Sequence, residues 1–256
     1  ITGATGAIGK AIAMNLASFD NYKIILIARN QNKAEKTVNE IINTTGNNAV
    51  EYRITDLSSF ESIKALSEEW KGPMHILINN AAESPRQKRL TAKGIEVQFA
   101  TNVLGYFWMM QEMTKHLRNS APSRIINVAS YWAGGLNLTD PEFIKRSYDN
   151  DKAYRQSKQA NRMLTIAFAD KLRSFNIYVN ACHPGDVNSK LSNDLGFGGH
   201  ETANQGAATP VWLATNPIGI ESTGKYYEHL QESRCQFASN KHEVIALYEL
   251  CESYSK

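Results

Sequence analysis

Short apolar runs alternate with longer amphipathic stretches along most of this chain. Residues 23–28 read Lys-Ile-Ile-Leu-Ile-Ala, with no polar alternation, as in a strand buried on both faces. Similar runs recur at residues 50–55, 75–78, 124–129 and 177–181, with a last one near Tyr226. Between them, residues 10–18 carry Ala11, Ile12, Leu16 and Ala17 at helical spacing. Residues 32–45 form a polar-faced helix, 58–70 a helix capped by Ser58 or Ser59, and 94–118 and 152–174 two long helices. Strands alternating with helices predict an α/β fold. The expected form is a Rossmann-type doubly wound parallel sheet with helices on both faces and right-handed crossovers. No repeat, low-complexity tract or linker interrupts the series, so residues 1–256 are expected to form a single domain.

Composition narrows the field of functions. Of 256 residues, 42% are hydrophobic and 21% charged, the balance of an ordinary globular chain with a sizeable core. The net charge of +3, with acids and bases interspersed, gives no case for nucleic acid or an anionic membrane. Cys182, Cys235 and Cys251 are scattered, so neither a metal site nor a disulfide framework is expected, and a reducing compartment such as the cytoplasm is the default. Only Ile1 and Thr2 precede a glycine-rich turn that a strand should feed. Residues upstream of Ile1 are therefore expected, and a targeting or anchoring segment could be among them.

The polar features gather where strands end, which in an open α/β sheet is where ligands bind. Thr2-Gly3-Ala4-Thr5-Gly6-Ala7-Ile8-Gly9 opens the first helix. Glycines there let the backbone approach a pyrophosphate, and free N–H groups with the helix dipole attract it. Near the end of the second strand an NAD site places an acid for the ribose 2′-hydroxyl. Here the residues are Ala28-Arg29-Asn30, with Lys33 behind and no acid nearby in sequence. A guanidinium at Arg29 suits a 2′-phosphate, so NADP(H) is expected in preference to NAD(H).

Tyr154 and Lys158 stand four apart in a helical segment and share one face. A free tyrosine has a pKa near ~10 and is a poor acid-base group, but an ammonium held beside it favours the phenolate. Taken alone, the pair reads as a core tyrosine and a solvated lysine, since a tyrosine four before a lysine occurs by chance in most proteins. Company decides the matter: Ser130 ends the fifth predicted strand, and Asn102 lies on the long helix before it.

The ordered series resembles the short-chain dehydrogenases/reductases over nearly the whole chain. It comprises the glycine turn, Asp56-Leu57, Asn79-Asn80-Ala81-Ala82, Asn102, Ser130, Tyr154 with Lys158, and Pro184-Gly185-Asp186-Val187. Ala28-Arg29, the Tyr-x-x-Ser-Lys form and Thr223-Gly224-Lys225-Tyr226-Tyr227 look most like the retinol dehydrogenase-related group. The resemblance implies hydride transfer between NADP(H) and a carbonyl/alcohol pair, with Tyr154 as general acid/base. Lys158 would lower its pKa and hold the nicotinamide ribose, and Ser130 would hydrogen-bond the developing alkoxide. Asn102 would hold a water linking Lys158 to solvent. Gly3, Thr5, Gly6, Ala7 and Ile8 would cradle the cofactor, Asp56 and Leu57 would meet the adenine, and Asn80 and Ala81 the adenosine ribose region. Pro184, Gly185 and Val187 would face the nicotinamide. A homodimer through the helices of Asn102 and Tyr154 is implied by resemblance only.

Three positions depart from the family pattern. Gly6 replaces the glycine expected at Ala7, Ala82 stands where glycine is usual, and the loop between Ser130 and Tyr154 is long. The Gly3–Gly6–Gly9 spacing resembles the extended nucleotide-sugar epimerases and dehydratases, which are one alternative; a non-catalytic dinucleotide-binding module is another. Residues 188–200 resemble a substrate lid, and Leu191, Leu195 and Phe197 there, with Trp132, favour an apolar small-molecule substrate.

Overall fold

The computed structural model describes residues 1–255. Its elements run, in order, α1 (Ala7–Ala17), β1 (Ile24–Ala28), α2 (Gln31–Thr45), β2 (Val50–Ile54), α3 (Phe60–Glu69) and β3 (Ile76–Asn79). A π-helical turn (Phe99–Leu104) leads into α4 (Gly105–Asn119), followed by β4 (Ser123–Val128), α5 (Asn150–Leu172) and β5 (Ile177–Cys182). The chain closes with α6 (Lys190–Asp194), α7 (Ala203–Thr215), α8 (Ile218–Glu221), β6 (Tyr226–Glu228), β7 (Gln231–Ser233) and α9 (Lys241–Ser253).

Ile1 and Thr2 join the sheet into one surface. Parallel β1 and β2 form one section, and β3-β4-β5-β6-β7 the other. Between them, Thr2 N–H donates to Ile78 O (2.9 Å), and Ile27 N–H donates to Ile1 O (2.9 Å). The order β2-β1-(Ile1–Thr2)-β3-β4-β5-β6 is that of a doubly wound sheet with a switch point at the glycine turn. One apolar layer packs α1 and α7 on one face, and a larger one packs α4, α5 and α9 on the other. The expected single domain with helices on both faces is what forms.

Two local expectations are corrected. The long helix is not regular from Gly94. Gly94 has φ +80°, and the turn at 99–104 closes a wider ring, with Gly105 N–H donating to Ala100 O. The sheet is also not wholly parallel, because β7 folds back antiparallel on β6. The last helix matters for packing. In α9, Tyr248 stacks on Phe107 (5.0 Å) and Phe168 (5.4 Å), and just beyond it Tyr254 meets Phe99 (5.5 Å), so α9 covers ground on α4 and α5.

Candidate active site

Two connected cavities open where the parallel strands end. The larger, about 660 Å³, is bounded by the glycine turn and the ends of β1, β2 and β3. The smaller, about 430 Å³, lies over the ends of β4 and β5, and Ile8, Ser189 and Leu191 line both.

The glycine turn is built by close contact. Gly3 has φ +63°, and a Cβ there would stand 2.7 Å from Ala81 Cα. Gly6 N–H closes the turn on Gly3 O at 3.0 Å. A Cβ on Gly9 would stand 2.4 Å from Gly3 O and 2.6 Å from Asn80 Nδ2. No side chain caps α1 at Gly6, which leaves its first N–H groups to the cleft. The departure at Ala7 therefore leaves the cradle intact. Asn80 buttresses it, since its N–H donates to Thr2 Oγ1 (2.9 Å) and its Nδ2 to Thr2 O (3.0 Å). Ala81 N–H shares Thr2 Oγ1 at 3.1 Å.

Of the expected cofactor residues, Gly3, Thr5, Gly6, Ala7, Ile8, Arg29, Leu57, Asn80 and Ala81 line the larger cleft. Ser130, Tyr154, Pro184, Gly185 and Val187 line the smaller one. Asp56 lines neither; it is exposed, and its carboxylate accepts from Ser58 N–H (2.9 Å) and Ser58 Oγ (2.7 Å) to turn the chain into α3. Asn102 is also off both walls and fully buried. Its Oδ1 accepts from Glu83 N–H (2.8 Å) and its Nδ2 donates to Glu83 O (2.9 Å) and Ser157 Oγ (3.3 Å), so it clamps a loop.

Lys158, 2% exposed, lies beneath the wall, and its Nζ donates to Val128 O at 2.9 Å. The ammonium is 5.6 Å from the Tyr154 ring centre and 5.5 Å from that of Tyr106. Burial pulls Lys158 down to about 7. Burial likewise pushes the Tyr154 phenol up to about 12, with the neighbouring Ser130 hydroxyl acting in the opposite direction. Lys158 is not among the groups that act on the phenol in this arrangement. The lysine proton is directed at the Val128 carbonyl. Ser130 Oγ also accepts from Trp132 N–H (3.0 Å), which fixes the start of the long loop. That loop is tied down again by Trp132 Nε1 on Asp151 (2.7 Å) and by the Arg155 guanidinium, 4.7 Å over the indole.

The segment 188–200 covers the junction of the cavities. α6 opens on a Ser189–Ser192 capping box, and Gly196, Gly198 and Gly199 all have positive φ. Ser84 Oγ donates to Leu191 O (3.4 Å) and Asn150 Nδ2 to Asp194 O (3.2 Å), which pins it to both flanks.

Sequence reasoning missed two residues. His183 is 6% exposed, lines the smaller cavity, and has Tyr131 edge-on at 4.6 Å. Burial takes it down to about 4, so it is neutral, and its Nδ1 has no partner among the described residues. Its place directly ahead of Pro184-Gly185 was the available signal. The second is Glu83, which supplies the acid that was absent near Arg29 in sequence. It comes from the end of β3 and pairs with both Arg29 and Arg89 (2.9 Å to the latter).

A profile of the short chain dehydrogenase family matches residues 1–196. The chain belongs to that family. Mouse retinol dehydrogenase 13 is 33% identical over 91% of this chain and 75% of its own length. Mouse retinol dehydrogenase 11 is 32% identical over 96% of this chain and 81% of its own. Among solved structures, an uncharacterized protein from Mycobacterium paratuberculosis superposes with a TM-score of 0.82 at 26% identity, covering 99% of this chain and 91% of that one. The Pseudomonas aeruginosa RhlG/NADP complex shares the fold, with a TM-score of 0.72 at 24% identity over 90% and 93% of the two chains. As a short-chain dehydrogenase, the protein is an oxidoreductase that uses a nicotinamide dinucleotide and stands close to the retinol dehydrogenases. Among the described residues no helix is long and apolar enough to cross a membrane, and no cluster of side chains could hold a metal ion.

Proposed function

We propose that this short-chain dehydrogenase interconverts a lipophilic carbonyl compound and its alcohol with NADP(H), using Tyr154 as the proton-transfer group. The observation that carries the reading is that Ser130 and Tyr154 line the same wall of the smaller cavity, backed by the buried Lys158. The bound cofactor supplies or accepts the hydride. It would lie on the open amides of α1, against Asn80 and Ala81, with Arg29 at the adenosine end to take the 2′-phosphate.

Within the smaller cavity the substrate oxygen would meet two hydroxyls. The phenol is protonated at neutral pH, the form that can give its proton to the oxygen during carbonyl reduction. Ser130 donates to the same oxygen and stabilises its developing charge. Lys158 and Asn102 act through others: Lys158 sits under Tyr154, and Asn102 fixes both the Glu83 loop and Ser157, whose hydroxyl bonds Tyr154 O (2.7 Å). The segment 188–200 serves as the lid that keeps water from the site. Ile8, Trp132, Leu191 and Phe197 give the cavity an apolar lining of a size that suits a drug-sized ligand. The retinol dehydrogenases among its relatives support the lipophilic reading. A homodimer through α4 and α5 would have to form beside the ground that α9 covers.

Tyr154→Phe tests the chemistry. Turnover of apolar aldehydes with NADPH should fall by about 10²–10⁴-fold, the usual contribution of a positioned proton donor, while NADPH affinity stays within about twofold. Near-normal turnover in this variant would remove Tyr154 from the mechanism.

A further inference from the structure

We propose that Glu83 sets the cofactor discrimination of the cleft, because its carboxylate competes with the 2′-phosphate of NADPH for Arg29. The proposal rests on the reading of the cleft as a dinucleotide site.

Three observations converge. Glu83 leaves the end of β3, and its peptide group is fixed on both sides by Asn102, through Oδ1 to its N–H (2.8 Å) and from Nδ2 to its carbonyl (2.9 Å). Its position therefore follows from a buried anchor rather than from a mobile surface loop. Its two carboxylate oxygens go to different arginines, one to Arg29 and the other to Arg89 at 2.9 Å. All three residues line the larger cleft, where Lys33 adds another cation. Arg29 and Arg89 have side chains 59% and 60% exposed, whereas that of Glu83 is 15% exposed, so the acid is the inner member of the cluster.

The chemistry gives Glu83 a sign. A 2′-phosphate carries about −1.5 to −2 charges and binds best to an unshared guanidinium fork. Reaching Arg29, it must take the guanidinium from Glu83 and then sit beside a like charge, whereas a ribose 2′-hydroxyl can donate to that same carboxylate. Glu83 therefore lowers affinity for NADPH and leaves NADH unaffected or favoured. Arg89, released by the same event, is a second fork able to turn to the phosphate. Exposed ion pairs are individually weak, which makes the exchange reversible and its effect a matter of a few fold.

Glu83→Gln keeps the shape and removes the charge. Fluorescence titration should show NADPH binding tightened by about two- to fivefold, NADH binding unchanged or weakened, and the NADPH/NADH affinity ratio raised. Adenosine 2′,5′-bisphosphate, tested against 5′-AMP, should show the same rise without the nicotinamide half. Glu83→Asp retains the charge on a stem too short to span both arginines and should give a smaller rise; it serves if the glutamine variant fails to fold. A ratio that is unchanged or lower in a folded variant overturns the proposal. Wild-type protein that binds NADH as tightly as NADPH overturns the NADP(H) preference instead, and the shift on substitution still reports on Glu83. Wild-type protein that binds neither dinucleotide overturns both.

Discussion

Lys158→Met should make this protein more stable and less active at once. The lysine is buried with one hydrogen bond, to Val128 O, and no carboxylate beside it. Its pKa falls from 10.5 to about 7, a gap of about 3.5, which at ~1.36 kcal/mol per unit sets a ceiling of roughly 5 kcal/mol on the cost of burying the charge. Methionine nearly matches the side chain in volume. Val128 O stays satisfied after the change, because the Tyr106 hydroxyl also donates to it at 3.1 Å. Allowing about 1 kcal/mol for the lost hydrogen bond, and more for relaxation around the charge, the net gain is roughly 2–4 kcal/mol. In a chain of this size that raises Tm by about 5–15 °C. The pH dependence is the sharper signature. Between about 7 and 10.5 the unfolded chain binds a proton that the folded chain has lost, so this group makes the wild type more stable as pH rises. The advantage of methionine is therefore complete below about pH 7 and gone above about pH 10.5. Calorimetric melts of both proteins at about pH 6, 8 and 10 measure it, with NADPH turnover alongside. A variant that melts below the wild type at about pH 6, or an advantage that does not shrink with pH, would refute the reasoning.

Two further substitutions test the cleft. Gly9→Ala forces a methyl to within 2.4 Å of the Gly3 carbonyl, so the turn must move; dinucleotide affinity should drop by more than about tenfold with a loss of about 1–3 kcal/mol in stability, read by titration and melting. Arg29→Ala removes the charged donors expected to meet the 2′-phosphate, and NADPH affinity should fall roughly 10- to 100-fold while NADH affinity holds within about twofold. An equal loss for both cofactors would count against Arg29 as the phosphate ligand.

What could be read from the sequence was local in origin. Ile24–Ala28 declares a doubly buried strand by composition, and Gly3 and Gly9 mark a turn where backbones touch, so the sheet and the cradle were legible. Ser130 and Tyr154 share one cavity wall, Ser130 from just beyond the end of β4 and Tyr154 from the start of α5. Two features depended on distant partners and stayed hidden. Glu83 and Arg29 are adjacent in space but lie at the ends of different strands. The balance at Tyr154 depends on how deeply α5 is buried, and neighbouring charges alone could not disclose that. His183 shows the same limit, since nothing in its local sequence shows that its Nδ1 goes unpartnered.

The π turn at Phe99–Leu104 acts as a phase shift between two duties of one helical rod. It holds more than the usual 3.6 residues, so side chains beyond it are rotated about the axis relative to an unbroken α-helix. Before the shift is complete, Asn102 points at the Glu83 loop; after it, Phe107, Trp108 and Met113 point into the core. Gly105 sits just past the junction, where a Cβ would come within 2.7 Å of Leu57 O, so the rod also passes tightly against the end of β2. Both stretches feed one core, since Phe99, Val103 and Leu104 join it as well, and Asn102 is the member of the π turn that reaches the Glu83 loop instead.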